Sequence, residues 1–240
     1  WEHRLKQVDV RNIRVINRLL GLSAQLNPYL ERAPHSTQIQ AIHTLTVLGS
    51  ALFESRQDLP PVDVIINPYE RDYRGKEENK SRLAKLQEID WGAADELDIE
   101  ILEFLRRGYI DADRMNACVT QATKLNLSQE AQEELEAAWR LYHDSFHENS
   151  EDVARAIFDA NSKHAAHVSP MNLSGAVQLL RELGFDQKAD ELIDIYIQVH
   201  QQNEKILDLD NYSFASDVRD LVFREKLAEA FASLRKDYRK

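Results

Sequence analysis

Cysteine is nearly missing from this sequence. Cys118 stands alone in 240 residues, which excludes an intrachain disulfide and fits a reducing compartment, so a cytoplasmic location is the default expectation. Long apolar runs are missing too. The longest, Leu45 to Phe53, is interrupted by Thr46, Gly49 and Ser50 and falls well short of the roughly 20 residues that span a bilayer, so a buried helix is expected there and no membrane span. No secretory leader is expected at the start of the chain. Its first residue is Trp and not Met, from which a longer protein with a missing upstream part is expected. Turn formers are scarce: 7 glycines and 6 prolines leave little material for hairpins and favour helices throughout. The expected class is all-α, an irregular multi-helix bundle with at most one short strand-like segment near residues 62–66, the β-branched run VDVII. Positive charge is in deficit as well. Lys+Arg 30 against Asp+Glu 41 gives −11, a balance that repels phosphate backbones, so no nucleic-acid partner is expected.

What is present punctuates a series of helices. Asp9 can cap a first helix running toward Leu26, with Asn27-Pro28 breaking it. Ser36 can cap a second, to about Phe53, that is apolar nearly all round and so belongs at the hub of a core. The Pro60-Pro61 pair and the charged stretch NPYERDYRGKEENK suggest a boundary, giving a front subdomain over 1–74 and an interaction domain over 75–240. Beyond it, Leu97, Ile101 and Phe104 step at helical spacing until Gly108, and Asp111 or Asp113 restarts a helix. Ser128 can cap a long helix with Ala131, Leu135, Ala138, Tyr142 and Phe146 as its core stripe. Ser150 can cap the next, with Glu151 and Asp152 in its first turn, and Gly184 turns a helical pair. A last helix is expected from about Ser216 to Tyr238. No repeat of fixed period joins these elements.

Against the acidic balance, Trp1 to Arg32 carries six basic residues and three acidic ones, so it is +3 and the remainder −14. Within it, DVRNIRVINRLL sets Arg11, Arg14 and Arg18 at helical offsets of three and four, on one face, with Ile13, Ile16 and Leu20 on another. A solvated basic face is the bland interpretation. The sharper one gives these planar, permanently charged groups an anion to bind.

The run RNIRVINRLL resembles the helix that opens the small helical subdomain of AAA+ and related P-loop NTPases, where a G-or-N-x-R pattern presents the sensor-2 arginine. Asn12 and Arg14 occupy the matching places. The continuation, AIHTLTVLGSALFESRQDLPPVDVII and then ILEFLRRGYIDADRM, is similar in order to the KAP family of P-loop NTPases. The resemblance covers the first half of the chain. It implies a lid-like, sensor-like subdomain over 1–74, with Arg14 as the nucleotide-sensing residue and Arg11 and Arg18 as further anion contacts. It also implies ATP bound mainly by an upstream P-loop domain of the same protein. These residues contain no G-x-x-x-x-G-K-[ST] phosphate loop, so no hydrolysis by this chain alone is expected. The acidic remainder is expected to dock a partner protein or another copy of the chain. Some relatives serve in phage defence, a role the resemblance extends here by analogy. The competing class is a free-standing helical adaptor or scaffold with no nucleotide role.

Other constellations are weaker. HDSFH sets His143 and His147 one turn apart and imitates the zincin H-E-x-x-H, but Asp144 is a carbon short of the glutamate base and no third ligand follows at that spacing, so no catalytic metal is expected. His164 and His167 are expected to be solvated, and His200 to be a hydrogen-bonded core histidine. Cys118 lacks a neighbouring base and is expected to be buried. Acidic pairs such as Glu133 with Glu134, or Glu191 near Asp194, belong on exposed helix faces, and Trp139, Tyr142 and Phe146 in the core.

Overall fold

The computed structural model describes residues 1–54, 58–67, 79–144, 149–213, 216 and 218–237. Among these the chain forms twelve α-helices and no strand, so the all-α expectation holds. They are α1 (Glu2–Val8), α2 (Ile13–Leu30), α3 (His35–Phe53), α4 (Val62–Ile66), α5 (Lys80–Glu88), α6 (Glu96–Arg107), α7 (Ala112–His143), α8 (Ser150–Lys163), α9 (Pro170–Glu182), α10 (Asp186–His200), α11 (Glu204–Leu207) and α12 (Leu221–Asp237).

The contacts divide the chain into two compact units, Trp1–Leu127 and Ser128–Lys240. The division expected at 74/75 is not where they part. α6 packs on α3, and Leu97, Ile101 and Phe104 join Leu45 and Leu48 in one core, which Met115, Cys118 and Val119 extend. The composition shift near residue 70 falls on a stretch most of which lies outside the described residues.

In the first unit α3 is the hub, packed by α1, α2, α4 and α6 and buried continuously from Thr44 to Ser50. Gly49 permits the close approach of α2, since a Cβ there would meet Leu19 Cδ2 at 2.3 Å. The N-terminal helices depart from expectation. Asp9 ends α1 in the left-handed conformation (φ 57°), with the Val10 N–H donating to the Leu5 carbonyl at 2.9 Å, and does not start a helix. Asn12 caps α2. That helix runs through Pro28 to Leu30, because the proline sits in its exposed last turn, where one missing N–H is cheaply tolerated. The VDVII run is not strand-like: with no strand to pair with, it closes a helical turn on Pro61, whose carbonyl accepts from Val64 and Ile65 (2.9 and 3.0 Å), and buries Val64 and Ile65. Ser36 does not cap α3, which starts after Pro34.

α6 has a reciprocal cap between Asp95 and Asp98 and ends at Gly108 (φ 78°), as the spacing suggests. Asp111 starts α7 by accepting from the Arg114 N–H at 3.1 Å. α7 then continues past Ser128, which lies inside it and caps nothing.

In the second unit α8, α9 and α10 pack together around Ile157, Leu173, Leu180, Leu192 and Tyr196, and α12 adds Phe223 and Leu227. Asn149, not Ser150, holds the cap position of α8, and Gly184 (φ 83°) turns α9 into α10. α12 begins at Leu221, later than Ser216. Ala131 and Ala138 are buried, but Tyr142 is exposed, so the expected core stripe of α7 fades toward its end; Phe146 lies outside the described residues. Arg181 laces this unit, its guanidinium donating to Asp220 (2.7 Å) and Asp190 (2.7 Å) and pairing with Asp186 (3.4 Å). No described helix is long and apolar enough to cross a membrane.

Candidate functional site

The break between α1 and α2 decides what becomes of the arginine stripe. Arg11 lies before α2 begins, exposed, with Nε 2.7 Å from Asp9 Oδ1, so it does not share a helical face with the other two. Arg18 is on α2, but its guanidinium carbon sits 3.6 Å from the Phe53 ring centroid, a cation–π contact with the end of α3. Arg14, in the first turn of α2, is exposed and has no side-chain partner among the described residues. Its backbone N–H donates to Asn12 Oδ1 at 3.0 Å. Asn12 therefore has a local reason for its position, two residues before the arginine: it satisfies a helix-terminal N–H that would otherwise lack a partner.

The apolar residues of this helix also fall differently. Ile16 packs partly into the core, whereas Ile13 is 64% exposed and Leu20 44%. The buried face is Val15, Leu19, Leu26 and Leu30. Ile13 and Leu20 thus sit beside Arg14 on the solvent side of α2.

The histidines sort by burial. His200 is a core histidine as expected, its Nε2 2.9 Å from the Ala165 carbonyl. His164 is not solvated: it is buried, with Nε2 2.8 Å from Glu134 Oε2, and Lys163 Nζ reaches the same carboxylate at 2.6 Å. The Lys163 hydrogen bond, then that of His164, holds the Glu134 carboxyl below its ordinary range. His167 is exposed as expected. His143 is exposed and stacks on Trp139, and His147 lies outside the described residues. Among the described residues no group of three or more His, Cys, Asp and Glu could hold a metal ion.

Cys118 is buried, and burial first, then the charge of Glu100, pushes its thiol up, away from the thiolate a nucleophile needs. The acidic pairs take ordinary partners: Glu133 accepts from Gln129 at 2.9 Å, and Asp194 pairs with Lys226.

Two features of the first unit escaped the sequence. Gln40 Nε2 donates to Asp95 Oδ2 (2.8 Å) and Asp98 Oδ1 (3.3 Å), Thr44 donates to Asp98, and Asn126 donates to Gln40 Oε1 (2.9 Å). Burial raises the Asp98 carboxyl in spite of these donors. The D-x-x-D spacing at residues 95–98 was the available signal. His43, on the hub helix, is half-buried beside Trp91, with both ring nitrogens shut off from solvent and neither hydrogen-bonded. Burial and then the Arg4 charge lower its pKa to about 4, against the pull of Asp90. Its place inside an apolar run was the only hint.

Comparison with family models, with curated proteins and with solved structures finds no match to the chain.

Proposed function

We propose that this chain is an all-helical, nucleotide-sensing and protein-interaction module that works with a P-loop ATPase domain in the cytoplasm. In this proposal Arg14 reaches the ATP phosphates and the acidic remainder docks a protein partner or another copy of the chain. The observation that carries the proposal is the contrast among the three arginines. Arg11 is held by Asp9 and Arg18 by Phe53, whereas Arg14 projects from a helix start with no protein partner among the described residues. A guanidinium so placed can add positive charge to a triphosphate held by another domain, and its contact would change when the γ-phosphate leaves. ATP is the expected ligand, bound chiefly by that other domain. A role in phage defence belongs to this proposal by analogy alone.

The second reading, a helical adaptor without nucleotide, is favoured by one fact: the Asn12 cap accounts for the N-x-R pattern without any ligand. The encoding reading frame separates the two, since the first requires a G-x-x-x-x-G-K-[ST] segment outside this chain. With that domain joined to the chain, Arg14→Ala is expected to lower ATP turnover about tenfold or more. Unchanged turnover and unchanged ATP affinity would leave the adaptor reading in its place.

A further inference from the structure

The second unit contains a cleft that the proposed function does not use. The C-terminal half of α7, the end of α8 and the start of α9 enclose a volume of about 520 Å³, within the range of roughly 300–1,000 Å³ common for small-ligand sites. Leu135, Trp139 and Met171 give it an apolar wall. Its lining holds one carboxylate, the exposed Glu136, one imidazole, the exposed His167, and neither lysine nor arginine. Gln132 Nε2 donates to Glu136 Oε1 at 2.9 Å and so orients that carboxylate, while Oε2 has no partner among the described residues.

Gly175 gives a second, independent indication. It lies in the middle of α9, where glycine costs a helix roughly 0.5–1 kcal/mol relative to alanine. Core packing does not require it: a Cβ there would find nothing nearer than the Trp139 ring, at 3.9 Å. Its missing side chain is cleft volume beside the indole. Near the rim, Tyr142 meets Trp139 edge-on and His143 stacks on it, each with ring centroids 6.1 Å apart, so exposed aromatic surface continues beyond the cleft.

These features select by charge. An anion would face the Glu136 carboxylate with neither lysine nor arginine in the lining to receive it, and a wholly apolar ligand would leave that carboxylate unpaired. A cation on a hydrocarbon stem meets each requirement: the carboxylate pairs the charge, the indole face attracts it, and the apolar wall takes the methylenes. We infer that this cleft binds an organic cation, an alkylammonium or alkylguanidinium group, supplied either by a free amine or guanidine or by a basic side chain of a protein.

Titration of the whole chain with n-butylguanidinium, followed by backbone amide and indole N–H signals in NMR, tests this. The expected result is saturable shifts at Asn172, Gly175 and the Trp139 indole, with no shift there from n-butyl phosphate, which has the same stem and the opposite charge. The chain carries −11 and attracts any cation weakly, so two variants separate site from field. Glu136→Gln is expected to weaken binding at least tenfold. Glu133→Gln removes the same charge one turn earlier, outside the lining, and is expected to change binding less than twofold. Gly175→Leu fills the cleft with a good helix former and is expected to abolish the shifts. A blocked Gly-Arg-Gly peptide that binds more tightly than n-butylguanidinium would identify a protein side chain as the ligand; equal or weaker binding would identify the free cation. Shifts that do not saturate, equal weakening by both glutamine variants, or shifts from the phosphate at the same residues would each overturn the inference.

Discussion

A single half-buried imidazole shows how far one side chain can set the response of this protein to pH. His43 lies on the hub helix with both ring nitrogens unpaired, and its pKa in the folded state is lowered to about 4 from an ordinary 6.5. The unfolded chain therefore binds this proton more readily than the folded one. Above pH 6.5 both states are neutral and nothing is lost; as pH falls from 6.5 toward 4 the folded state loses stability, to a limit of about 3 kcal/mol, lessened by residual solvent at the site. The raised carboxyl of Asp98 acts in the opposite sense over its own range, so the His43 contribution is read as a difference. His43→Leu is expected to leave urea-unfolding stability less dependent on pH between 7 and 5. The gap between variant and wild type should move by about 1–2 kcal/mol in the variant's favour at the lower pH. A gap that does not change with pH would mean that the ring meets water or a proton acceptor. Residue identity alone would not have revealed this, because a histidine in an apolar run is written alike whether its nitrogens are satisfied or not. The more fully buried histidines differ from His43: His200 has the Ala165 carbonyl for a partner, and His164 has Glu134.

At the scale of helices, two glycines make opposite predictions from the same substitution. Gly49→Ala would place a methyl 2.3 Å from Leu19 Cδ2 where α2 crosses α3, and is expected to cost about 1–3 kcal/mol, seen as a lower urea midpoint with unchanged slope. Gly175→Ala meets only ordinary contact at 3.9 Å and is expected to raise stability by about 0.5–1 kcal/mol. If both changes destabilise, the helix around Gly175 is constrained by more than the neighbours seen here. Helices are legible where apolar spacing runs up to a glycine stop, as in α6 up to Gly108 or at the turn on Gly184. They were misread where one residue serves two purposes. Aspartate favours both a helix start and the left-handed conformation that ends one, so the sequence expectation places Asp9 at the wrong terminus. That one error leaves out α1, starts α2 too early and puts Arg11 on a stripe it does not share. Arg14 kept its exposure because it follows the true cap, Asn12. The five-residue VDVII run has strand propensity without a strand to pair with, so local hydrogen bonds on Pro61 decided its form. The cleft beside Trp139 is not legible, since it is made where three successive helices fold back on one another, and the aromatics lining and rimming it share the spacing of a core stripe.

For the chain as a whole, sequence composition misplaced the division because proline and charge mark any surface stretch, while a unit is defined by which apolar faces share one core. Leu45 belongs to the first core and Leu192 to the second, and both are essentially without solvent exposure. Each leucine-to-alanine change is expected to cost about 2–5 kcal/mol through lost transfer energy and the cavity left behind. Since the two side chains belong to different cores among the described residues, the double variant should lose the sum of the two to within roughly 0.5 kcal/mol. Tryptophan fluorescence can follow the units separately, with Trp1 and Trp91 in the first and Trp139 in the second. Leu45→Ala should therefore move the Trp91 signal and leave that of Trp139 in place, and Leu192→Ala should do the reverse. A coupling above about 1 kcal/mol, or one transition shared by both signals in every variant, would mean that the two cores unfold as a single cooperative body.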